Sequence, residues 1–317
     1  MRVVIIGGSG HVGSYLVPAL VDRGHSVVNV SRGAAKPYRP HYAWGLVENV
    51  SLDRTAEEQA GKFGAKIAAL KPDVVIDMIA FDLQSTQHLV EALRGKVQHY
   101  LFCSSIWVYG SLSAIPATEV EPPNPIDVYG KGKAASEAWL MREARLHGFP
   151  ATCFRPGHIV GEGWAPINPI GNANPQIFSQ IARGDTLVLP NLGLETVHHV
   201  HAHDVAQWVI CAIEHRAASI GEVFNTVSEQ AVNLRAYAET VFRWFGREPK
   251  LEFQPLEQWL PSQGEWAENT RGHIVRSSCH SIEKSRERLG YRPRYSSYEA
   301  VHEAVQALIA AGTVVVT

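Results

Sequence analysis

The chain has 317 residues, 45% hydrophobic and 19% charged, a globular composition that excludes global disorder and, at roughly 150 residues per domain, predicts about two folding units. Lys+Arg 29 against Asp+Glu 31 leave a formal charge of −2, so no net basic field draws the chain to nucleic acid or anionic lipid. Cys103, Cys153, Cys211 and Cys279 form no close pair, which argues against a zinc knuckle or disulfide framework and for a reducing cytoplasm, and the apolar runs at 3–6 and 307–316 are too short for a signal peptide or a membrane span.

Residues 3–6, Val-Val-Ile-Ile, read as a buried strand, 13–23 as a helix ended by Gly24, and 27–30 and 47–52 as further strands. A helix over 57–70 is stopped by Pro72, then 73–79 supplies a strand, 86–94 a helix and 99–103 another strand. Strand and helix alternating this way predict a parallel sheet covered on both faces, the doubly wound (Rossmann) α/β class. Residues 110–125 read as a loop over the carboxyl edge of that sheet, where ligands bind. The Gly- and Pro-rich stretch 156–175 reads as a binding loop or small lobe. Strand and helix signals return at 197–200, 204–215, 223–227 and 234–245.

The sharpest local feature is Gly7-Gly8-Ser9-Gly10-His11-Val12-Gly13, between the first strand and the first helix. Glycines permit a tight turn and let a pyrophosphate approach the helix N-terminus, where unpaired N–H groups and the positive dipole end favour an anion. Tight turns use glycine in any case, so the setting carries the weight. A carboxylate after the second strand would accept from the NAD ribose. Here the chain reads Ser31-Arg32, and an Arg fork suits the 2′-phosphate of NADP. The plain alternative is a surface Arg in a loop that also holds Lys36 and Arg39.

Tyr129 and Lys133 lie four apart on a predicted helix and share one face. A nearby ammonium lowers a phenol's pKa and makes it a general acid/base. Ser104 and Ser105 end the fifth strand at the carboxyl edge, where a hydroxyl can bond a substrate oxygen or simply cap the strand. On a strand, His199, His201 and His203 would share a face and invite a metal; no carboxylate or thiolate pattern completes a closed site, so no metal is expected. Trp164 and Trp266 could stack on a sugar or a base, although packing is the default for Trp.

These motifs occur in the order seen in the short-chain dehydrogenase/reductase superfamily, and the chain resembles its extended branch, the NAD-dependent epimerase/dehydratase family that includes the UDP-glucose 4-epimerases. The similarity continues through Arg155-Pro156-Gly157-His158-Ile159-Val160-Gly161, Val200-His201-Ala202-His203-Asp204-Val205-Ala206 and Leu289-Gly290-Tyr291-Arg292-Pro293. The resemblance implies a Rossmann domain over 1–160, completed by about 196–228, with a smaller C-terminal α/β substrate-binding lobe from 161–195 and 229–317.

It further implies NAD or NADP as cofactor, bound by Gly7, Ser9, Gly10, His11, Val12, Gly13, Ser31, Arg32, Asp53, Ile79, Ala80, Tyr129 and Lys133. Ser105, aligned through the following Val-Tyr-Gly, would hold the substrate oxygen, Tyr129 would move the hydroxyl proton, and Lys133 would bind the nicotinamide ribose and lower the Tyr pKa. His158 and Arg271 occupy positions that face substrate diphosphate in the 4-epimerases, where His158 replaces the usual Asn and Val197 a usual Arg. His199 or His201 would border the substrate.

The expected function is epimerisation of a sugar or sugar nucleotide through a transient ketone, and the alternative is an NADP-dependent dehydrogenase or reductase. A different class, a dinucleotide-binding regulatory protein, follows from likeness to the chloroplast stem-loop-binding proteins, but the intact Ser105, Tyr129 and Lys133 favour chemistry. The expected partner is a small sugar-type substrate, with no nucleic acid and no membrane. Superfamily members commonly pair through the Tyr-Lys helix, which implies a homodimer.

Overall fold

The computed structural model describes residues 1–33 and 37–316, so Lys36 lies outside the described residues. In chain order the strands are β1 (Arg2–Ile6), β2 (Ser26–Ser31), β3 (Glu48–Ser51), β4 (Val74–Asp77), β5 (His99–Cys103), β6 (Ala151–Pro156), β7 (His158–Val160), β8 (Leu187–Pro190), β9 (Thr196–Val197), β10 (His199–His201), β11 (Val223–Thr226), β12 (Val232–Asn233) and β13 (Leu251–Gln254). The helices are α1 (Gly13–Asp22), α2 (Arg54–Gln59), α3 (Phe63–Ala69), α4 (Leu83–Leu93), α5 (Val128–His147), α6 (Gln176–Ala182), α7 (Ala202–Glu214), α8 (Arg216–Ser219), α9 (Leu234–Trp244), α10 (Leu256–Trp259), α11 (Ala267–Arg276), α12 (Glu283–Leu289) and α13 (Ser297–Ala310).

Seven parallel strands form the central sheet in the order β11-β6-β5-β4-β1-β2-β3. Both faces are covered, so its inner strands are apolar throughout instead of alternating, as Val3, Val4, Ile5 and Ile6 show by complete burial. One face packs on α1 and α7 through Leu16, Leu20, Val205 and Trp208, the other on α3, α4 and α5 through Phe63, Leu89, Leu93 and Leu140. This is the doubly wound Rossmann architecture expected from the sequence. From β1 the strand order runs one way to β2 and the other way to β4, leaving a crevice outside the carboxyl end of β1.

A third apolar core, with Phe178, Leu189, Tyr237, Phe242, Trp259 and Val301, lies between α6, α9 and α13. Small pairs β7–β10, β9–β12 and β8–β13 accompany it. Among the described residues, no helix is long and apolar enough to cross a membrane.

Two expected elements are divided. The helix predicted over 57–70 breaks into α2 and α3 because Gly61 turns the chain with φ +66°, a left-handed conformation that glycine adopts without a Cβ penalty. The strand predicted over 197–200 splits into β9 and β10, which pair with β12 and β7 respectively. His198 between them turns its ring to the Ser228 carbonyl at 3.0 Å and accepts the His280 N–H at 3.1 Å.

Candidate active site

The crevice is floored by the glycine turn. Gly7 leaves β1 with φ +92° and donates its N–H to Val30 at 2.9 Å. A Cβ on Gly13 would lie 1.9 Å from the Gly8 carbonyl oxygen, so only glycine lets α1 start this close to the turn. No side chain caps α1, so its positive end suits an anionic ligand.

A cleft of about 540 Å³ on the β2 side is lined by Ser9, Ser31, Arg32, Asp53 and Ile79. A second, of about 470 Å³, is lined by His11, Val12, Gly13, Ser105, Tyr129 and His158. Gly7, Gly10 and Ile79 border both, which makes them one groove across the turn. In the first half, Asn29 fixes Ser9 by donating to its Oγ at 2.8 Å, and Asp53 caps α2 through the Ala56 N–H. Arg32 is exposed, and among the described residues its guanidinium has no ion-pair partner. Beneath this floor Arg54 reaches Asp77 at 2.7 Å, and Tyr100 donates to the same carboxylate at 3.0 Å.

The second half holds the expected hydroxyl and phenol, with the expected ammonium buried behind them. Ser105 follows β5 and accepts the Trp107 N–H at 3.2 Å. Asp127 caps α5 through the Gly130 N–H at 2.7 Å, two residues ahead of Tyr129. Lys133, 1% exposed, donates to the carbonyls of Ala80 at 2.7 Å and Cys103 at 2.6 Å. Its Nζ stands 5.6 Å from the Tyr129 ring centre. Ala80 is therefore present through its carbonyl, as a brace for the ammonium.

One electrostatic expectation is reversed. Although 39% of the Tyr129 surface is exposed, burial around the phenol end pushes its pKa up to about 12, with the Ser105 hydrogen bond pulling the other way. The Lys133 ammonium is engaged by two carbonyls, and burial pulls its own pKa down. In the protein by itself, desolvation is the largest influence on the phenol.

Of the residues expected at the substrate, His158 lines the groove. Burial, reinforced by His273, holds its imidazole neutral. His199 lies behind it, fully buried, with Nε2 at 3.1 Å from the Ile167 carbonyl oxygen and its ring centre 6.0 Å from that of His158. Arg271 is not brought to the groove: it is half-buried on α11 and forks onto Glu257 at 2.7 and 2.5 Å. The buried guanidinium beside the site belongs instead to Arg276, which covers the Trp107 ring at 3.8 Å and pairs with Asp127. The linear pattern gave no sign of Arg276, whose partner lies 149 residues away; Asp127 had a local signal, an N-cap type residue just before the helix.

The histidine run is dispersed among other partners. His201 meets Glu303 at 3.1 Å and His203 meets Asp204 at 3.0 Å. Among the described residues, no group of three or more His, Cys, Asp or Glu is placed to hold a metal ion. Trp164 lines the groove and stacks on His11 with ring centres 5.0 Å apart, whereas Trp266 lines neither half.

Comparison with known proteins agrees with this fold. The chain is 35% identical to 2'-dehydrokanamycin reductase of Streptomyces kanamyceticus over 84% of its own length and 73% of that protein. It is 26% identical to a UDP-glucose 4-epimerase of Mycolicibacterium smegmatis over 96% of its length and 98% of the relative. A UDP-glucose 4-epimerase of Thermotoga maritima, solved with UDP-glucose, superposes with a TM-score of 0.75 at 22% identity, covering 98% of this chain and 99% of the other. The pattern of the NAD dependent epimerase/dehydratase family matches residues 3–226. With the matched span running from β1 through β11, the chain belongs to the NAD dependent epimerase/dehydratase family.

Proposed function

We propose that the protein is an NADP-preferring oxidoreductase that interconverts a ketone and a secondary alcohol on a sugar-like substrate. The single observation that carries this reading is the convergence of Ser105 and Tyr129 on the half-groove that begins at the glycine turn, with Lys133 anchored behind them. The residues present fit a dinucleotide: the Gly13 contact leaves no room for a side chain between turn and helix, and Arg32 stands in the other half-groove with no carboxylate partner among the described residues. When bound, a nicotinamide supplies the hydride donor or acceptor.

Tyr129, protonated at neutral pH with its pKa near 12, delivers a proton to the ketone oxygen as negative charge develops there. Ser105 donates a hydrogen bond to the same oxygen. An ammonium has three N–H donors. Lys133 uses two on Ala80 and Cys103 and keeps one for a ribose hydroxyl. Residues 161–195 and 229–317 would supply the substrate lobe around the third core. The Streptomyces relative, a reductase by name, supports net reduction.

A second reading, epimerisation through the same ketone, is supported by the near full-length match to a UDP-glucose 4-epimerase. Substituting Tyr129→Phe tests the chemistry common to both: turnover should fall by about 10²-fold or more while dinucleotide binding, followed by fluorescence titration, stays within about twofold. A fully active Phe variant would refute the acid/base assignment.

A further inference from the structure

We infer that the substrate is a compact polyhydroxylated ring without a diphosphate, such as a free sugar, glycoside or cyclitol, held against indole faces in the half-groove of Tyr129. The inference rests on the function proposed above and narrows its substrate class.

No Lys, Arg, Asp or Glu lines that half of the groove among the described residues. Its two imidazoles do not supply a cation near neutral pH, since burial holds His11 at about 4 and keeps His158 far below its usual range. Arg276, behind the Trp107 ring, is committed to Asp127 and to the Gly272 carbonyl at 2.5 Å. Arg271 is committed to Glu257 on the surface. Beyond the α1 N-terminus, which the dinucleotide would occupy, a substrate diphosphate entering here would meet no Lys or Arg among the described lining residues and so no charge-assisted grip.

Beyond His158 the groove meets α11, which packs directly on the loop that follows β7. A Cβ on Gly171 would lie 2.8 Å from Ile274 Cδ1, and Asn172 donates across the seam to Thr270 at 2.9 Å. The His158 and His273 rings meet edge to face at 4.6 Å. These contacts close the seam between α11 and the loop beside His158.

Trp107 and Trp164 both line the half-groove with Met78, Ile159 and Ile167. Indole faces suit the C–H faces of a polyhydroxylated ring, while Ser105, Tyr129 and the neutral His158 meet its hydroxyls. Trp164 is 52% exposed, so its truncation leaves the core intact.

The test uses the full chain, with NADP⁺ binding measured first by titration calorimetry; failure at that step counts against the proposed function and not against the substrate class specifically. UDP and UDP-glucose are then titrated into the NADP⁺-saturated protein, and unphosphorylated sugars, glycosides and cyclitols are assayed beside sugar nucleotides for NADPH formation. The expected result is no binding of UDP or UDP-glucose up to about 1 mM, turnover only in the unphosphorylated set, and a KM raised about 10-fold by Trp164→Ala with NADP⁺ affinity unchanged. Binding of UDP-glucose below about 100 µM, turnover confined to sugar nucleotides, or silence from both sets with NADP⁺ bound would each overturn the inference.

Discussion

Glu137 lies one turn beyond Lys133 on α5, and Arg155 faces it from β6; their side chains are 3% and 4% exposed. The guanidinium makes three bonds to the carboxylate, at 3.0, 3.1 and 2.6 Å, and lies 4.5 Å from the Tyr109 ring centre. The pair therefore ties the helix carrying Tyr129 and Lys133 to the sheet. Glu137→Ala would leave a buried cation without its counterion, a loss of about 3–5 kcal/mol, or a midpoint lowered by roughly 10 °C at about 2–4 °C per kcal/mol. Removing both charges, as Glu137→Leu with Arg155→Met, should return stability to within about 1 kcal/mol of the parent, because the desolvation of both ions is relieved together. Urea unfolding of parent, single and double variants measures the coupling. A Glu137→Ala variant losing less than about 1 kcal/mol, or a double variant no more stable than the single, would refute the reasoning.

Gly13→Ala forces a methyl into the Gly8 carbonyl, which only backbone movement can relieve; stability should fall by about 1–3 kcal/mol and dinucleotide affinity by at least about tenfold, as read by unfolding and fluorescence titration. Arg32→Ala should weaken NADP far more than NAD, and equal losses for both would remove Arg32 from phosphate recognition. The raised phenol pKa sets the sign of the pH dependence: with Tyr129 near 12, ketone reduction should stay level through neutral pH and decline only in strong alkali, whereas alcohol oxidation, which needs phenolate, should rise with pH. An oxidation profile already flat above about pH 7 would show that another group takes the proton.

The parts of the site written in local spacing were legible beforehand. The glycine turn, the end of β5 and the Tyr129–Lys133 interval are each set by a few consecutive residues, and the strand runs of the buried sheet are uninterrupted apolar segments. What escaped depends on partners distant in sequence. Arg276 pairs across 149 residues and Arg54 finds Asp77 across 23, and neither is marked by periodicity. Arg271 illustrates the converse: a position matched along the chain is paired with Glu257 away from the groove, while Arg276 of the same helix falls on the site side. The phenol's pKa went the wrong way for a related reason, since proximity to Lys133 can be read from spacing whereas burial and the carbonyls of Ala80 and Cys103 cannot.

The loop after β7 is stitched to itself by asparagines. Asn168 donates to Asn172 at 2.7 Å and to the Asn174 carbonyl at 2.9 Å, while its own oxygen accepts from Ile170 at 3.0 Å. Asn172 and Asn174 repeat the pattern toward α6. Shape here is fixed at folding, so a ligand arriving beside Ile167 and Ala173 encounters a finished wall and need not freeze a mobile segment. Capture by such a wall is rigid-body recognition, its speed set by diffusion and water expulsion, and its selectivity by contour.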